Sequence, residues 1–305
     1  MNHRLYIKPV GGLANRIRVI NSALKIAEES KKELIVIWEL NQDLNARYEA
    51  LFQLPTDFKV LNTTAGIQFS GIQLLYFPDK RPAGLRSFLF NLVKLQRGIK
   101  EVVWYDSFEA IFSKLKAQYD PKSVRSHEDV LTSALPKIRV LTSGISNPSL
   151  TGYTSSSWNL EAQSKLRFNL LPESALAARI SKLSIDKSKT VGMHIRRTDH
   201  TWSVEHSGDD AFINAIKKEL EEDPATKFFV ATDSPEVSDK LVALFPEKII
   251  RAEHETMARS SVSGIQSAVI DLYGLAGCRK VYGSFLSTFS DLASNIGSIE
   301  AETVT

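Results

Sequence analysis

The spacing of apolar residues changes period along the chain, and the changes mark out elements. Residues 4–9, RLYIKP, read as a short strand. After the turn-like VGGLANR, residues Leu13, Ile17, Ile20, Leu24 and Ala27 recur at spacings of four and three, one face of a helix. The segment 33–38, ELIVIW, reads as a strand buried on both faces. Between 40 and 165 the pattern is less regular: 101–105 and 137–144 read as strands, and 147–159, rich in Ser, Thr and Gly, as a loop or linker. The rest alternates cleanly. Helices are predicted at 174–183, 210–221, 235–244, 263–276 and 288–296, and strands at 190–195, 227–231, 248–250 and 280–284. Gly297 stands where a C′ glycine would end the last helix.

This β/α alternation predicts an α/β protein with two doubly wound parallel lobes, 1–165 and 166–305, and a cleft between them. In open α/β sheets ligands gather beyond the carboxyl ends of the strands. Three polar segments fall there: HIRRTDH after 190–195, TDS after 227–231, and FLSTFS after 280–284.

Composition narrows the class without naming it. The 305 residues carry a net charge of +3, too little to argue for nucleic acid or a membrane surface. The apolar runs are too short to span a bilayer, and the N-terminus lacks the apolar core of a signal peptide. The single cysteine, Cys278, excludes an intrachain disulfide. A reduced, cytoplasmic setting is the expectation.

The chemistry concentrates at the predicted strand ends. Adjacent strand residues point to opposite faces, so Arg196 and Arg197 cannot serve one surface. A guanidinium fork matches a phosphate, which lets one arginine grip an anion while the other braces the loop through Asp199. A plain surface pair of Arg197 with Asp199 explains RRTD equally well. Ser287 or Thr288 suits a helix N-cap, with Asp291 as a capping-box partner of Thr288. The same N-terminus offers N–H groups to an anion. Asp271 lies on an apolar helix stripe with Ala268 and Leu275, where a carboxylate needs a partner. It could bond backbone, or accept from the N–H donors of a guanine. In VGGLANR, Gly11 and Gly12 permit a tight turn, and Asn15 and Arg16 fall in the first helical turn. Neither a dinucleotide fingerprint nor a P-loop is present. Glu205 and His206 are acid–base candidates in the stretch 203–212, read as a loop; Ser207 or Asp209 would cap the helix that follows. No H-E-x-x-H and no strand-end D-x-D suggests a metal site.

Taken together, HIRRTDH, FFVATDS, VIDLYGLAGC and YGSFLSTFSDLA resemble the motifs of the GDP-fucose-dependent fucosyltransferase superfamily, over residues 190–295 and at GGLANR. The nearest likeness is to the α1,6-fucosyltransferases, including the rhizobial Nod-factor enzymes. The resemblance implies a GT-B-like fold whose C-terminal lobe holds the donor. It implies that Arg196 grips the β-phosphate, that His194 and Asp271 lie at the guanine, and that Ser287, Thr288 and Phe289 lie at the phosphates. It also implies that Asn15 and Arg16 approach the diphosphate, and that Glu205, one residue further from the arginines than in the family pattern, is the catalytic base.

The expected function is therefore inverting transfer of fucose from GDP-fucose to a glycan or oligosaccharide hydroxyl. Fixed cations would stand in for a metal, with no cofactor. Acceptor contacts would come from 40–165. Two other classes stand beside it: a nucleotide- or sugar-binding protein without catalysis, and another enzyme on the same sheet, such as a kinase or phosphatase or a transferase of a different nucleotide sugar.

Overall fold

A computed structural model describes residues 3–116, 127–157, 159–160, 165–198 and 201–305. The chain forms two compact units: Met1–Glu49 with Gln53–Leu170, and Ala50–Phe52 with Leu171–Thr305.

The first unit runs β1 (Arg4–Pro9), α1 (Leu13–Glu29), β2 (Glu33–Leu40), β3 (Lys59–Thr64), a hairpin of β4 (Gln68–Ser70) and β5 (Gln73–Leu75), α2 (Gly84–Arg97), β6 (Ile99–Val103), α3 (Tyr105–Lys116), α4 (His127–Ser146) and β7 (Thr151–Ser156). Its five-stranded sheet is parallel in the order β3-β2-β1-β7-β6. The predicted α1 face, Leu13 to Ala27, is buried at every position. Tyr6, Ile37, Phe77, Phe90, Trp104 and Tyr153 pack into the core of this unit.

Two expectations for this unit are overturned. Residues 137–144 are not a strand; they lie inside α4, where Ala134, Ile138, Thr142 and Ile145 recur at helical spacing and are buried. The Thr142 hydroxyl satisfies itself on the Ile138 carbonyl at 2.9 Å, so a polar residue can sit on that face. Nor is 147–159 a linker: it contains β7, buried at all six positions between β1 and β6. Two of its hydroxyls find partners inside the fold: Thr151 Oγ1 accepts from Arg4 N at 3.3 Å, and Ser155 is bonded twice, whereas Thr154 Oγ1 is buried without one. Ser155 Oγ donates to Asp79 O at 2.7 Å and accepts from Tyr105 N at 3.1 Å. Gly152 admits α4, since a Cβ there would stand 2.9 Å from Ile145.

The second unit contains every predicted element and adds two that were not predicted, α6 and β12: α5 (Ser174–Ile180), β8 (Thr190–Ile195), α6 (Thr201–His206), α7 (Asp209–Glu222), β9 (Lys227–Thr232), α8 (Pro235–Leu244), β10 (Ile249–Ile250), α9 (Val262–Ala276), β11 (Lys280–Ser284), α10 (Thr288–Gly297) and β12 (Glu300–Val304). All five strands are parallel, in the order β10-β9-β8-β11-β12. Val191, Met193 and Ile195 of β8 pack on Phe212 and Ile216 of α7. Gly192, on the opposite face, leaves room for Leu275 and Cys278.

Three local readings are corrected here. Residues 201–206, read in part as a loop, form the short helix α6. Gly297 is the last helical residue rather than the left-handed one after it; that position is Ser298, at φ 48°. Gly297 is required by packing instead, because its Cβ would stand 2.3 Å from Ala276 O on α9. Finally, α7 is preceded by Gly208 as its cap residue, not by Ser207 or Asp209. Among the described residues no helix is long and apolar enough to cross a membrane.

Candidate active site

In the second sheet the chain leaves β8 toward β9 on one side and reaches β11 on the other, so the strand order reverses between β8 and β11. Crevices form at such switch points, beyond the carboxyl ends of the strands. The polar segments after β8, β9 and β11 meet at this edge.

His194, the penultimate residue of β8, is buried. Its Nδ1 lies 2.9 Å from Ser287 Oγ, and its ring stacks on Phe289 at 4.9 Å. Burial, and next the charge of Arg196, push its pKa down to about 4, with Asp233 opposing. The imidazole is therefore neutral near pH 7. Ser287 is the cap residue of α10, as expected, but its side chain makes no capping bond. The hydroxyl is committed to His194, so the first-turn N–H groups of α10 are not satisfied by it. Leu286 bends the chain into this turn with φ 54°.

The two arginines follow directly on β8. Arg196 N donates to Ser284 Oγ at 3.0 Å, and that hydroxyl donates in turn to His194 O at 3.3 Å, which joins the ends of β8 and β11. Arg197 is the brace. Its backbone N donates to Asp233 Oδ1 at 2.7 Å, and its guanidinium donates twice to Asp209 Oδ1, at 2.8 and 3.0 Å, beside the Phe212 ring. Burial pushes the Asp209 carboxyl up, but Lys240 and Arg197 outweigh it and hold it below its usual range. The other oxygen of Asp233 takes Thr198 Oγ1 at 2.7 Å. Among the described residues the bracing carboxylates are Asp209 and Asp233; Asp199 lies outside them.

Asp271 is buried on α9, and its partner is a side chain rather than backbone. Its Oδ1 lies 2.9 Å from His254 Nε2. Burial raises the Asp271 carboxyl, and the Asp271 carboxylate raises His254 against its own burial. The pair therefore holds a proton more tightly than either group does in water. The Nδ1 of His254 is buried without a hydrogen-bond partner. His254 also lines a cavity of about 500 Å³ with Thr232, Ser234, Arg251 and Met257, within the range of small-molecule sites.

His254 escaped sequence reading because the stretch RAEHETM carries no period. The strand-end rule, applied to KII at 248–250, was the signal that could have found it. Glu205 is exposed on α6, and His206 stacks on Phe285 at 4.8 Å.

The glycine loop belongs to the first unit. Gly11 takes φ 92°, which a side chain would resist, and Gly12 is the cap residue of α1. Asn15 Oδ1 accepts from Arg18 at 3.3 Å. Arg16 is fully buried. It donates to Gly11 O at 2.8 Å, Glu39 O at 2.5 Å and Asn41 Oδ1 at 3.0 Å, with Trp38 against its guanidinium at 5.1 Å. Burial lowers its pKa to about 10, partly offset by Glu39, Asp43 and Asp79. The structure thus gives Arg16 an interior, loop-fixing place. Beside it sits a buried cluster that sequence reading did not anticipate: Lys8 Nζ lies 2.6 Å from Glu39 and 2.8 Å from Asp79.

No family model matches the chain. No curated protein matches it at the sequence level. Solved structures do match its fold. The fucosyltransferase NodZ from Bradyrhizobium superposes with a TM-score of 0.56 at 18% identity, over 96% of this chain and 92% of that one. NodZ alpha-1,6-fucosyltransferase soaked with GDP-fucose gives 0.53 at 17% identity, over 97% and 93%. POFUT1 in complex with GDP gives 0.53 at 12% identity, over 99% and 98%. At these identities the likeness establishes the fold: two α/β units of the GT-B-like type.

Proposed function

We propose that the chain is a fucosyltransferase that takes GDP-fucose at the β8–β11 edge of its second unit and moves fucose to a glycan hydroxyl with inversion. One observation carries the reading. His194, Arg196 and the Ser287–Phe289 turn meet at a topological switch point, in a fold shared with proteins solved with GDP or GDP-fucose.

Each residue then has a part. Arg196 holds the β-phosphate and takes up charge as GDP leaves. The N–H groups opening α10 add donors that need no reorganisation. Asp271 accepts from guanine N–H groups; to do so it must be ionised, and the donor His254 favours that form. Neutral His194 keeps the base end free of a competing cation. Arg197, tied to Asp209, sets the loop from which Arg196 projects. Transfer is a single in-line displacement. The acceptor oxygen bonds to sugar C1 as the C1–O bond to phosphate breaks, and the bonding pair leaves with GDP. Glu205 takes the acceptor proton. Arg196 and the helix N-terminus neutralise the leaving diphosphate, so the reaction needs no divalent ion.

The test is GDP release from GDP-fucose with a mixture of glycan acceptors, with and without EDTA, alongside binding of GDP, ADP and UDP. Turnover that survives EDTA, with GDP bound far more tightly than the other two, is expected. Activity lost in EDTA and restored by Mg²⁺ or Mn²⁺ would remove the metal-free part. Equal binding of the three nucleotides would remove the GDP-sugar reading. Glu205→Gln should lose roughly 10²–10⁴-fold in turnover while keeping GDP affinity. GDP binding without turnover under any acceptor would leave a binding protein.

A further inference from the structure

Helix α2 has a second apolar face that the core does not use. Phe90 and Val93 face inward and are buried. Leu85, Phe88, Leu92 and Leu95 follow at spacings of three, four and three, which is one stripe, and all four are exposed, Leu85 to 73% and Leu95 to 79%. The β4–β5 hairpin continues the surface. Phe69 is 71% exposed, and Ile72, at the turn beside Gly71 with φ 59°, is 95% exposed. Leu74 N donates to Gln96 Oε1 at 3.2 Å, so hairpin and helix are tied together. Exposed apolar residues scattered singly need no explanation; a stripe and an aliphatic turn fixed to each other do.

The exposed charges carried by this stretch itself have one sign. From Gly66 to Lys100 the sequence carries Lys80, Arg81, Arg86, Lys94, Arg97 and Lys100, and Asp79 is the single carboxylate. Asp79 is already engaged, 2.8 Å from Lys8. Arg97 covers the Tyr6 and Phe77 rings and is not part of the surface. Lys80, Arg81, Arg86 and Lys100 are exposed, and Lys94 is half-buried. The next acidic residue along the chain, Glu101, packs against Gly144 of α4.

We infer that α2 and the β4–β5 hairpin dock this unit onto an anionic lipid surface. Leu85, Phe88, Leu92, Leu95 and Ile72 would enter the interfacial region while the basic side chains reach the headgroups. A helix with Leu and Phe on one side and Lys and Arg beside it has the composition of an interfacial helix. Long basic side chains can lie along apolar surface and keep their charge at the headgroups. A second copy fits poorly, because a two-fold contact would set this cationic surface against itself. The whole-chain net charge of +3 conceals the feature by averaging it.

The experiment is sedimentation of the full chain with phosphatidylcholine vesicles, and with vesicles in which part of the lipid is phosphatidylglycerol. Binding only to the phosphatidylglycerol vesicles, weakened by salt, is expected. Each charge removed among Lys80→Gln, Arg81→Gln and Arg86→Gln should weaken partitioning by about fivefold. Ile72→Glu with Phe88→Glu should abolish it; both side chains are exposed, and an unchanged circular dichroism spectrum checks the fold. No binding to anionic vesicles, or binding indifferent to all these changes, overturns the inference. So does concentration-dependent dimerisation that the Ile72→Glu and Phe88→Glu changes abolish, since the surface would then belong to a second copy.

Discussion

In both sheets arginine follows just after the central strand, and the two units surround it differently. After β1, Arg16 folds back into the first unit, where two backbone carbonyls, Asn41 and the Trp38 ring enclose it. After β8, Arg197 is pinned by Asp209, and Arg196 is held by its backbone on Ser284. The residue type does not decide the role; the partners supplied by neighbouring elements do. In the first unit β7 lies beside β1, and its hydroxyls together with Lys8, Glu39 and Asp79 fill the edge. In the second unit β11 lies beside β8 and ends in a turn whose cap serine is diverted to His194.

The largest consequence falls on Arg16. Arg16→Met should destabilise the first unit by about 3–5 kcal/mol, because buried acceptors lose a charged partner. Denaturant unfolding of the full chain, followed by tryptophan fluorescence through Trp38, checks this. A loss under about 1 kcal/mol would place Arg16 on the ligand side after all. Arg196→Ala should do the reverse: turnover falls by roughly 10²–10³-fold, the scale of one lost oxyanion donor, with little change in stability. Arg196→Lys should recover only part of it, because the ammonium lacks the fork. Turnover near that of the unaltered chain in Arg196→Ala would end the equivalence with a leaving-group clamp.

His194 gives the second unit a pH signature of its own. Its folded pKa of about 4 lies below the ordinary 6.5, so the unfolded chain binds more protons between those values. Stability should therefore rise as pH climbs from about 4 to 6.5, by on the order of 3 kcal/mol, and the gain is lost again on acidification. His194→Gln should flatten that part of the profile. The His254–Asp271 pair works with the opposite sign. Both groups are raised, so the folded chain holds the extra proton and stability declines as pH rises through their titration. Asp271→Asn should remove that decline.

The smallest effects separate two neighbours at the end of α10. Gly297→Ala drives a Cβ into Ala276 O and should cost about 1–3 kcal/mol. Ser298→Gly relaxes a residue at φ 48° and should be neutral or stabilise by less than about 1 kcal/mol. Thermal unfolding of the two variants side by side settles which residue bears the packing and which the turn.

The sequence by itself determined the second unit almost element by element, and the α1–β2 start of the first. Those segments declare a period: β8, β9 and β11 are short apolar runs between helices with clear faces. It also placed His194, Arg196, Asp271 and Ser287 at strand ends or on a buried stripe, because strand ends follow from where apolar runs stop. Only the tertiary structure decided that 151–156 is a buried strand, since its Ser and Thr residues look like loop chemistry until Arg4 supplies a hydrogen bond to Thr151 and Asp79 and Tyr105 engage Ser155. Only it decided that Asp209 braces Arg197 across twelve positions, that His254 reaches Asp271 across seventeen, and that Arg16 turns inward. The physical reason is common to all four. Periodicity reports which face of an element is apolar, whereas the partner of a buried polar atom is set by which elements the topology makes neighbours.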